Sequence, residues 1–475
     1  MTRRLMDAMQ ETVTDVPAYV SYEGLLSRTR QQRRHRTRAA IVTVLALVLG
    51  IVLMPQIPAS YSALDMAGPV SAPPVSLSLP NRLGKPQWGS WSVQRRPIAA
   101  APLIFTSEAW WYEPVSTGSV AVVEADTDEY RVISTGWGSE AGRDAVISSD
   151  GTRLALPNQI VDLPTGRESA LPKLDGISVV NPAAWSPQDN VLAVIQHDGR
   201  YVDQPDGGEV YRQTRALLGL VELSSGRFAS IAELEADTQV NGWTVAFAPD
   251  GRTLAYQSGN RIVVTTLAGE VRSEFTVPAD TRIAGKGAWT LDGSGLTLVT
   301  QRRCCDGDEY PSRWRLQVVD PATGAERDGP RLPEQNGLVA LRLLSWTPDG
   351  AAVVARYHPW PGRKAVGLGT YDDIMAAVAR QTDLTALSPV GEPRVLLTGG
   401  EAVVQGIDVA DRAITGGRTH PGRLPPGGIG PEYRMYIKLT LQWAAPVVAG
   451  ALILAVWFVR RSRRRRMVRT QRRMS

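Results

Sequence analysis

One turn recurs along this chain, and it constrains the fold more than any other feature. In its most regular copy, within residues 244–269, alternating apolar strands flank Pro249-Asp250-Gly251, and a third, β-branched strand follows Gly259. Proline presets φ at the second turn position, aspartate tolerates the third, and glycine adopts the positive φ that closes a hairpin with a bulge. Alternation of period two buries one face of each strand. The stretch therefore predicts three antiparallel strands.

Four further copies place Trp or Ile before the turn and apolar residues after it, in the segments ISSDG, WSPQD, WTLDG and WTPDG. A second turn, of the form VDxxTG, recurs after β-branched runs in four repeats. Two hairpins per repeat predict one four-stranded antiparallel blade. We expect structural roles in the blade turns for Asp150, Gly151, Pro187, Pro249, Asp250, Gly251, Asp292, Gly293, Pro348, Asp349 and Gly350.

The pairing of these two turns resembles that in WD-repeat-like β-propellers of the TolB type, over roughly Pro102 to Gly417. The resemblance implies an all-β, six-bladed propeller, with seven blades as the alternative, and protein interaction at the cell envelope. We expect the first blade to use Ala109–Tyr112 and the run 120–124, with a turn at 126–128 before a strand at 130–134. Residues 394–398 and 402–414 would complete the last blade or supply the strand that closes the ring. The composition resembles that of actinobacterial proteins.

Two apolar runs flank the repeats and predict transmembrane helices. The run 39–57 rises about 28 Å as a helix, which suffices to cross a hydrocarbon core about 30 Å thick. Its 38-residue leader is longer than the basic region of a signal peptide, so we expect an uncleaved anchor. We predict a cytoplasmic basic segment 1–38, transmembrane helix 39–59, Pro/Ser/Ala-rich linker 60–100, extracytoplasmic propeller 101–418, Pro/Gly linker 419–436, transmembrane helix 437–459 and cytoplasmic Arg-rich tail 460–475.

Charge predicts the topology. Arginines lie directly outside both spans, and the positive-inside rule places both termini in the cytoplasm of a two-pass protein of the cell membrane. The membrane-orienting residues are Arg33, Arg34, Arg36, Arg38, Arg460, Arg461, Arg463 and Arg464. The net charge of +5 comes from these basic ends, so the large domain is acidic and we expect no nucleic-acid partner. The expected partners are the lipid bilayer and a protein or glycan ligand.

Cys304 and Cys305 are the only cysteines. Outside the cytoplasm they predict either a vicinal disulfide that stiffens a loop or two thiols that are free or paired between molecules. Two cysteines without nearby histidines do not fill a zinc site, and the neighbouring acidic residues lack EF-hand spacing. We expect no metal and no cofactor.

The sequence carries no recognisable catalytic motif. It has no GxSxG elbow, P-loop or dinucleotide fingerprint. Its four histidines are His35 beside the membrane and His197, His358 and His420, which we expect in loops. Insertions at 196–213, 301–315 and 357–384 interrupt the repeats and predict rim loops, where propellers bind ligands. We predict a non-catalytic binding or scaffolding module. The alternative is a signalling protein whose N-terminal helix binds a cytoplasmic regulator such as a sigma factor.

Overall fold

The computed structural model describes residues 76–425 except 88, 108–118, 136–138, 204–208, 236–242, 304–311, 328–330, 361–378 and 401–403, and describes scattered positions from 430 to 457. The chain divides into two compact units, one of residues 69–435 and one of 1–68 with 436–475. The described residues contain no helix long and apolar enough to cross a membrane. The first predicted span, most of the second, both arginine clusters and the cysteine pair lie outside the described residues.

The strands of the larger unit form six four-stranded antiparallel blades, which confirms the six-bladed prediction. A short strand β1, Leu79–Pro80, precedes them. Blade 1 contains β2 (Leu103–Ser107), β3 (Ser119–Val123) and β4 (Tyr130–Ser134). Blade 2 contains β5 (Val146–Ile147), β6 (Arg153–Leu156), β7 (Gln159–Asp162) and β8 (Arg167–Ala170). Blade 3 contains β9 (Val179–Trp185), β10 (Val191–Asp203), β11 (Glu209–Glu222) and β12 (Arg227–Leu234).

The second half of the ring repeats this order. Blade 4 contains β13 (Val245–Phe247), β14 (Thr253–Ser258), β15 (Arg261–Thr266) and β16 (Val271–Thr276). Blade 5 contains β17 (Thr281–Ile283), β18 (Leu296–Arg303), β19 (Ser312–Val319) and β20 (Gln335–Asn336). Blade 6 contains β21 (Ala340–Trp346), β22 (Ala352–Pro359), β23 (Ala379–Leu387) and β24 (Arg394–Leu397). Strand β25 (Val404–Val409), helix α1 (Asp411–Thr415) and strand β26 (Thr419–His420) follow.

Strand β25, which follows the sixth blade in the sequence, closes the ring. It pairs with β2 as the inner strand of blade 1, with Leu103 opposite Val409 and Phe105 opposite Ile407. The predicted strands 120–124 and 130–134 are confirmed as β3 and β4, and the predicted ring-closing strand within 402–414 is confirmed as β25. The predicted strand Ala109–Tyr112 lies outside the described residues, and the strand that pairs with β3 is β2, which begins at Leu103. All five residues of β2 are buried.

Each blade has two ends, which define two faces of the propeller. The turns between first and second strands, and between third and fourth, open on what we call the turn face. The connections between second and third strands open on the opposite side, the loop face. On the turn face, Gly251 has φ +63°, and in blade 3 Asp189 takes the same position with φ +56°. Gln188 therefore occupies the usual place of the turn aspartate, as the shifted motif in the sequence indicates.

Three tryptophans join neighbouring blades through their indole nitrogens. Trp185, Trp289 and Trp346 are buried immediately before the turns of blades 3, 5 and 6. Their Nε1 atoms donate to backbone oxygens of the preceding blades, namely those of Val146 at 3.0 Å, Ala246 at 3.1 Å and Gly287 at 3.0 Å. The recurrent tryptophan thus packs in the core and also donates to a backbone carbonyl of the preceding blade.

The Trp289→Phe variant should lower the free energy of unfolding by about 1–3 kcal/mol, because the Ala246 carbonyl loses its buried donor. Denaturant unfolding followed by fluorescence would measure the change. The control is Trp91→Phe at a partly exposed site, for which we expect a change within about 0.5 kcal/mol. Equal effects of the two substitutions would contradict the role assigned to the indole nitrogen.

The segments that enter and leave the propeller are clasped together. In this clasp, β1 and β26 pair in parallel, with Leu79 opposite Thr419 and Pro80 opposite His420. His420, expected in a loop, lies in this pair; its Nδ1 is 3.0 Å from Ser78 Oγ, and its Nε2 is 3.0 Å from both carboxylate oxygens of Asp128. The connection between His420 and Asp128 anchors the leaving segment to blade 1.

Both segments continue onto the turn face. The Ala101 amide donates to the Gly151 carbonyl at 2.8 Å, and the Arg412 amide donates to the Ser149 carbonyl at 3.0 Å. Gly151 has φ +72°, and a Cβ there would lie 2.3 Å from the Ala101 oxygen, so this position requires glycine. The described parts of the two segments therefore lie on the turn face and along the outer edge of blades 1 and 6.

Candidate functional site

The longest connections between the second and third strands of a blade lie on the loop face. In blade 3, β10 and β11 remain paired to Asp203 opposite Glu209, whereas β9 ends opposite His197. The hairpin therefore runs six residues, or about 20 Å, beyond the inner strand. It accounts for the predicted insertion 196–213.

The other two predicted insertions belong to the same kind of connection. Strands β18 and β19 lead into and out of 304–311, and β22 and β23 lead into and out of 361–378. These segments therefore leave from the same face as the hairpin of blade 3. The sequence located the insertions, and the topology assigns all three to the loop face.

The predicted turn residues lie on the opposite side. Asp150 Oδ1 accepts from the Thr152 amide at 2.9 Å, and Asp250 Oδ1 accepts from the Arg252 amide at 2.8 Å. Hydrogen bonds from Ser294 hold the pKa of Asp292 below its usual range. The other predicted turn residues occupy equivalent places: Gly151, Pro187, Pro249, Gly251, Gly293, Pro348, Asp349 and Gly350. These aspartates use their oxygens to order their own turns.

Asp408 is the centre of a buried ionic network at the ring axis. This carboxylate, on the closing strand β25, is fully buried. Its Oδ1 lies 3.2 Å from Lys286 Nζ and 3.3 Å from Arg342 Nη1, and its Oδ2 accepts from the Ile147 amide at 3.0 Å. Lys286 also lies 3.4 Å from Asp411. One carboxylate thus connects the closing strand to blades 2, 5 and 6.

A second group of polar atoms lies towards the loop face. Arg342 is 1% exposed, and its Nη1 makes only long contacts, of 3.3 and 3.4 Å, to Asp408 and the Ile407 carbonyl. Within the described structure, Arg342 Nε and Nη2, Tyr357 Oη and Glu140 Oε1 have no hydrogen-bond partner of acceptable geometry. These residues lie close together, because the charge of Arg342 influences the pKa of both Glu140 and Tyr357. We call Glu140, Arg342 and Tyr357 the axial cluster.

Burial determines the protonation state of Glu140 and Tyr357 in this cluster. Burial raises the pKa of Glu140 to about 8, against the opposing effect of Arg143, so Glu140 is mostly protonated at neutral pH. Burial also raises the pKa of Tyr357 far above its usual value, so its hydroxyl keeps its proton. Both groups therefore present hydrogen-bond donors beside the Arg342 guanidinium.

Trp243 and Arg282 complete the surroundings of the cluster. The Trp243 and Tyr357 rings lie 5.4 Å apart, and the Arg282 guanidinium lies 5.2 Å above the Trp243 ring. Burial lowers the pKa of Arg282 to about 9, which leaves it charged at neutral pH. These residues come from blades 4, 5 and 6, so the cluster draws on most of the ring.

Among the described residues, His197 and His358 lie in strands, which corrects the expectation that they occupy loops. His358, in β22, places Nε2 2.5 Å from Asp383 Oδ2, and Arg356 binds both oxygens of the same carboxylate. Burial tends to raise the pKa of Asp383, but the hydrogen bonds from His358 and Arg356 lower it overall. His197 lies in β10, where burial lowers its pKa to about 4. These histidines join adjacent strands, because the alternation in β10 and β22 carries them within the sheet.

The similarity of this chain to known proteins is weak. No protein-family model and no curated protein matches the chain. Similar solved structures include Kuenenia stuttgartiensis hydrazine synthase, with 18% identity over 54% of this chain and 65% of that one and a TM-score of 0.30. An oligogalacturonate lyase in complex with manganese matches at 13% identity over 66% and 89%, with a TM-score of 0.34. A putative TolB from Agrobacterium tumefaciens matches at 14% over 53% and 79%, with a TM-score of 0.28.

The six-bladed β-propeller assignment rests on the sheet topology. The predicted resemblance to TolB-type propellers therefore holds for the six-bladed fold alone. The expected absence of catalysis remains a prediction.

Sequence reasoning missed the axial cluster. Glu140 precedes β5 in a connection without a motif, Arg342 interrupts an apolar strand, and Tyr357 lies near the start of an insertion. An arginine within the run ALRLLSW was the one indication available, because a charged residue in an otherwise buried inner strand requires a partner.

Proposed function

We propose that this protein is a membrane-anchored, extracytoplasmic propeller that binds a protein partner at the cell envelope through its loop face. The carrying observation is that the long connections of blades 3, 5 and 6 share this face, whereas the described entering and leaving segments lie on the turn face and outer edge. The loop face is thus the side on which this chain departs most from a regular propeller. Surface connections held by a rigid scaffold are where binding residues concentrate.

A non-catalytic role fits the described residues best. The polar groups of the turn face order their own turns, and the His358–Asp383–Arg356 group joins two strands. The two predicted spans and the basic termini support membrane anchoring with both ends in the cytoplasm.

Site-specific photo-crosslinking tests this proposal. A photoreactive side chain at Asp203, in the protruding hairpin, should give an adduct of defined mass with one envelope protein in intact cells. The matched control is Leu291 on the turn face, which is 47% exposed and should give no such adduct. The same adduct from both positions, or protein adducts from neither, would contradict a protein-binding loop face.

A further inference from the structure

We propose that a cavity between blades 5 and 6 binds a short, extended peptide through its backbone, one apolar side chain and its terminal carboxylate. The cavity has a volume of about 390 Å³ and opens at the turn face, beside the turns that contain Leu291 and Gly350. Cavities of this size hold small ligands. The inference depends only on described residues away from the loop face, and it would stand if the loop face bound no protein.

The wall of the cavity is apolar. It is lined by Leu316 of β19, by Leu332 and by Trp346 of β21, which are 6%, 9% and 8% exposed. Leu291, at the mouth, is 47% exposed, and Pro389 contributes from blade 6. An exposed leucine beside a buried apolar wall favours an occupant with an apolar side chain, because such an occupant removes this surface from water.

The outer edge of β19 is open where it borders the cavity. The Arg327 amide donates to the Val318 carbonyl at 2.9 Å, which places the backbone groups of Val318 on this edge. Those of Leu316, two residues earlier, point the same way, because alternate residues of a strand face the same neighbour. Among the described residues, nothing on this edge pairs with the Leu316 amide or carbonyl. The consecutive residues 315–318 all line the cavity, so the cavity reaches the open edge.

The opening in the edge is short, with the Trp314–Gln335 pair at one end. The Arg327 amide, bound to Val318, closes the other end, four residues or about 13 Å along the strand. A peptide residue opposite Leu316 would make two backbone hydrogen bonds and place its side chain on the face that Leu316 occupies. A longer strand would collide with the segments at either end, so the occupant is a free peptide of about three residues.

The charges of the lining favour an anionic group. The described lining contains three arginines against two carboxylates, namely Arg315, Arg327 and Arg331 against Asp292 and Glu326. Arg315 forms an ion pair with Glu326. Arg331 is exposed and makes no hydrogen bond or ion pair within the described structure. Its guanidinium can therefore bind a carboxylate, and a free peptide carries one at its C-terminus.

The cleft between blades 4 and 5 provides a comparison within the same molecule. Its volume is about 320 Å³, and Arg272 and Trp289 line it as Arg331 and Trp346 line the first cavity. There, however, β16 pairs with β15 along residues 261–265, so the strand edge has no opening. We therefore expect no peptide to bind in this second cleft.

Isothermal titration calorimetry tests the proposal on the full-length chain in lipid nanodiscs, with N-acetyl-Ala-Leu-Ala as the probe. Nanodiscs keep detergent out of the apolar cavity, and we expect saturable binding of the peptide. The same peptide with an N-methylated leucine lacks the central backbone donor and should bind about tenfold more weakly. The C-terminal amide of the probe lacks the carboxylate and should also bind more weakly than the free acid.

Arg331→Gln separates a binding role from a structural one. It should weaken binding of the free acid about threefold, the size expected for an exposed ion pair, and leave binding of the amide unchanged. Arg272→Gln, in the second cleft, should change neither affinity. The absence of saturable binding, equal affinity for the N-methylated peptide, wild-type affinity for the acid in Arg331→Gln, or octanoate binding as tightly as the peptide would overturn the proposal.

Discussion

Replacing Asp408 by Asn should lower the free energy of unfolding by about 3–5 kcal/mol. The substitution keeps the shape of the side chain but removes the negative charge that Lys286 and Arg342 share. Both cations are at most 10% exposed, so water does not replace the lost partner. The damage should concentrate at the ring closure, because Asp408 lies on β25 and also holds the Ile147 amide.

Denaturant unfolding of the full-length chain, followed by tryptophan fluorescence, measures this effect. The control is Glu274→Gln, which removes the 2.9 Å contact to Arg261 between side chains that are both more than 40% exposed. An exposed pair of this kind should change stability by less than about 0.5 kcal/mol. If the two substitutions had similar effects, the axial network would not be the element that holds the ring closed.

Replacing Glu140 by Gln should make the protein progressively more stable than the wild type as the pH rises. In the folded wild type the pKa of Glu140 is about 8, against an ordinary value of 4.5. Between these values the folded state binds more protons than the unfolded state, so this group makes stability fall with rising pH. Glutamine stays neutral and removes that loss. The stability difference between variant and wild type should grow by about 2–5 kcal/mol from pH 4.5 to above pH 8.

The measurement is denaturant unfolding of both proteins at a series of pH values. The difference between the two curves isolates Glu140 from other groups such as Asp189, whose pKa burial raises to about 6. Glu274→Gln again serves as the control, and its difference from the wild type should stay constant over the same range. A constant difference for Glu140→Gln would show that this carboxyl is not buried in the neutral form.

The fold was predictable because its repeats are local. A turn such as Pro249-Asp250-Gly251 and the apolar–polar alternation of the strands beside it depend only on neighbouring residues. Each blade of this kind can therefore be recognised within about 40 residues of sequence. The strand β2 was not recognised, because its inner partner β25 comes from the other end of the propeller and the turn motif of the other repeats is missing from this blade. The sequence indicated a closing strand within residues 402–414, but it did not indicate that this strand pairs with β2.

The axial cluster was unpredictable for a related reason. Glu140, Arg342 and Tyr357 meet only when the blades close into a ring, and their spacing along the chain follows no motif. The insertions were visible as unequal intervals between turns, but their common face required the strand order. Sequence therefore revealed the repeating scaffold and the places where it is interrupted, whereas the polar chemistry at the centre required the assembled ring.

The parallel clasp of β1 and β26 has a mechanical consequence. Tension between the two ends of the propeller would pull β1 from its start and β26 from its end, in opposite directions along the strands. This geometry loads the clasp in shear, so its hydrogen bonds must break together. The pair β2 and β25 is antiparallel, with Leu103 opposite Val409, and the same tension would open it one bond at a time. The clasp therefore protects the β2–β25 pair, where the ring closes, from force on the chain ends.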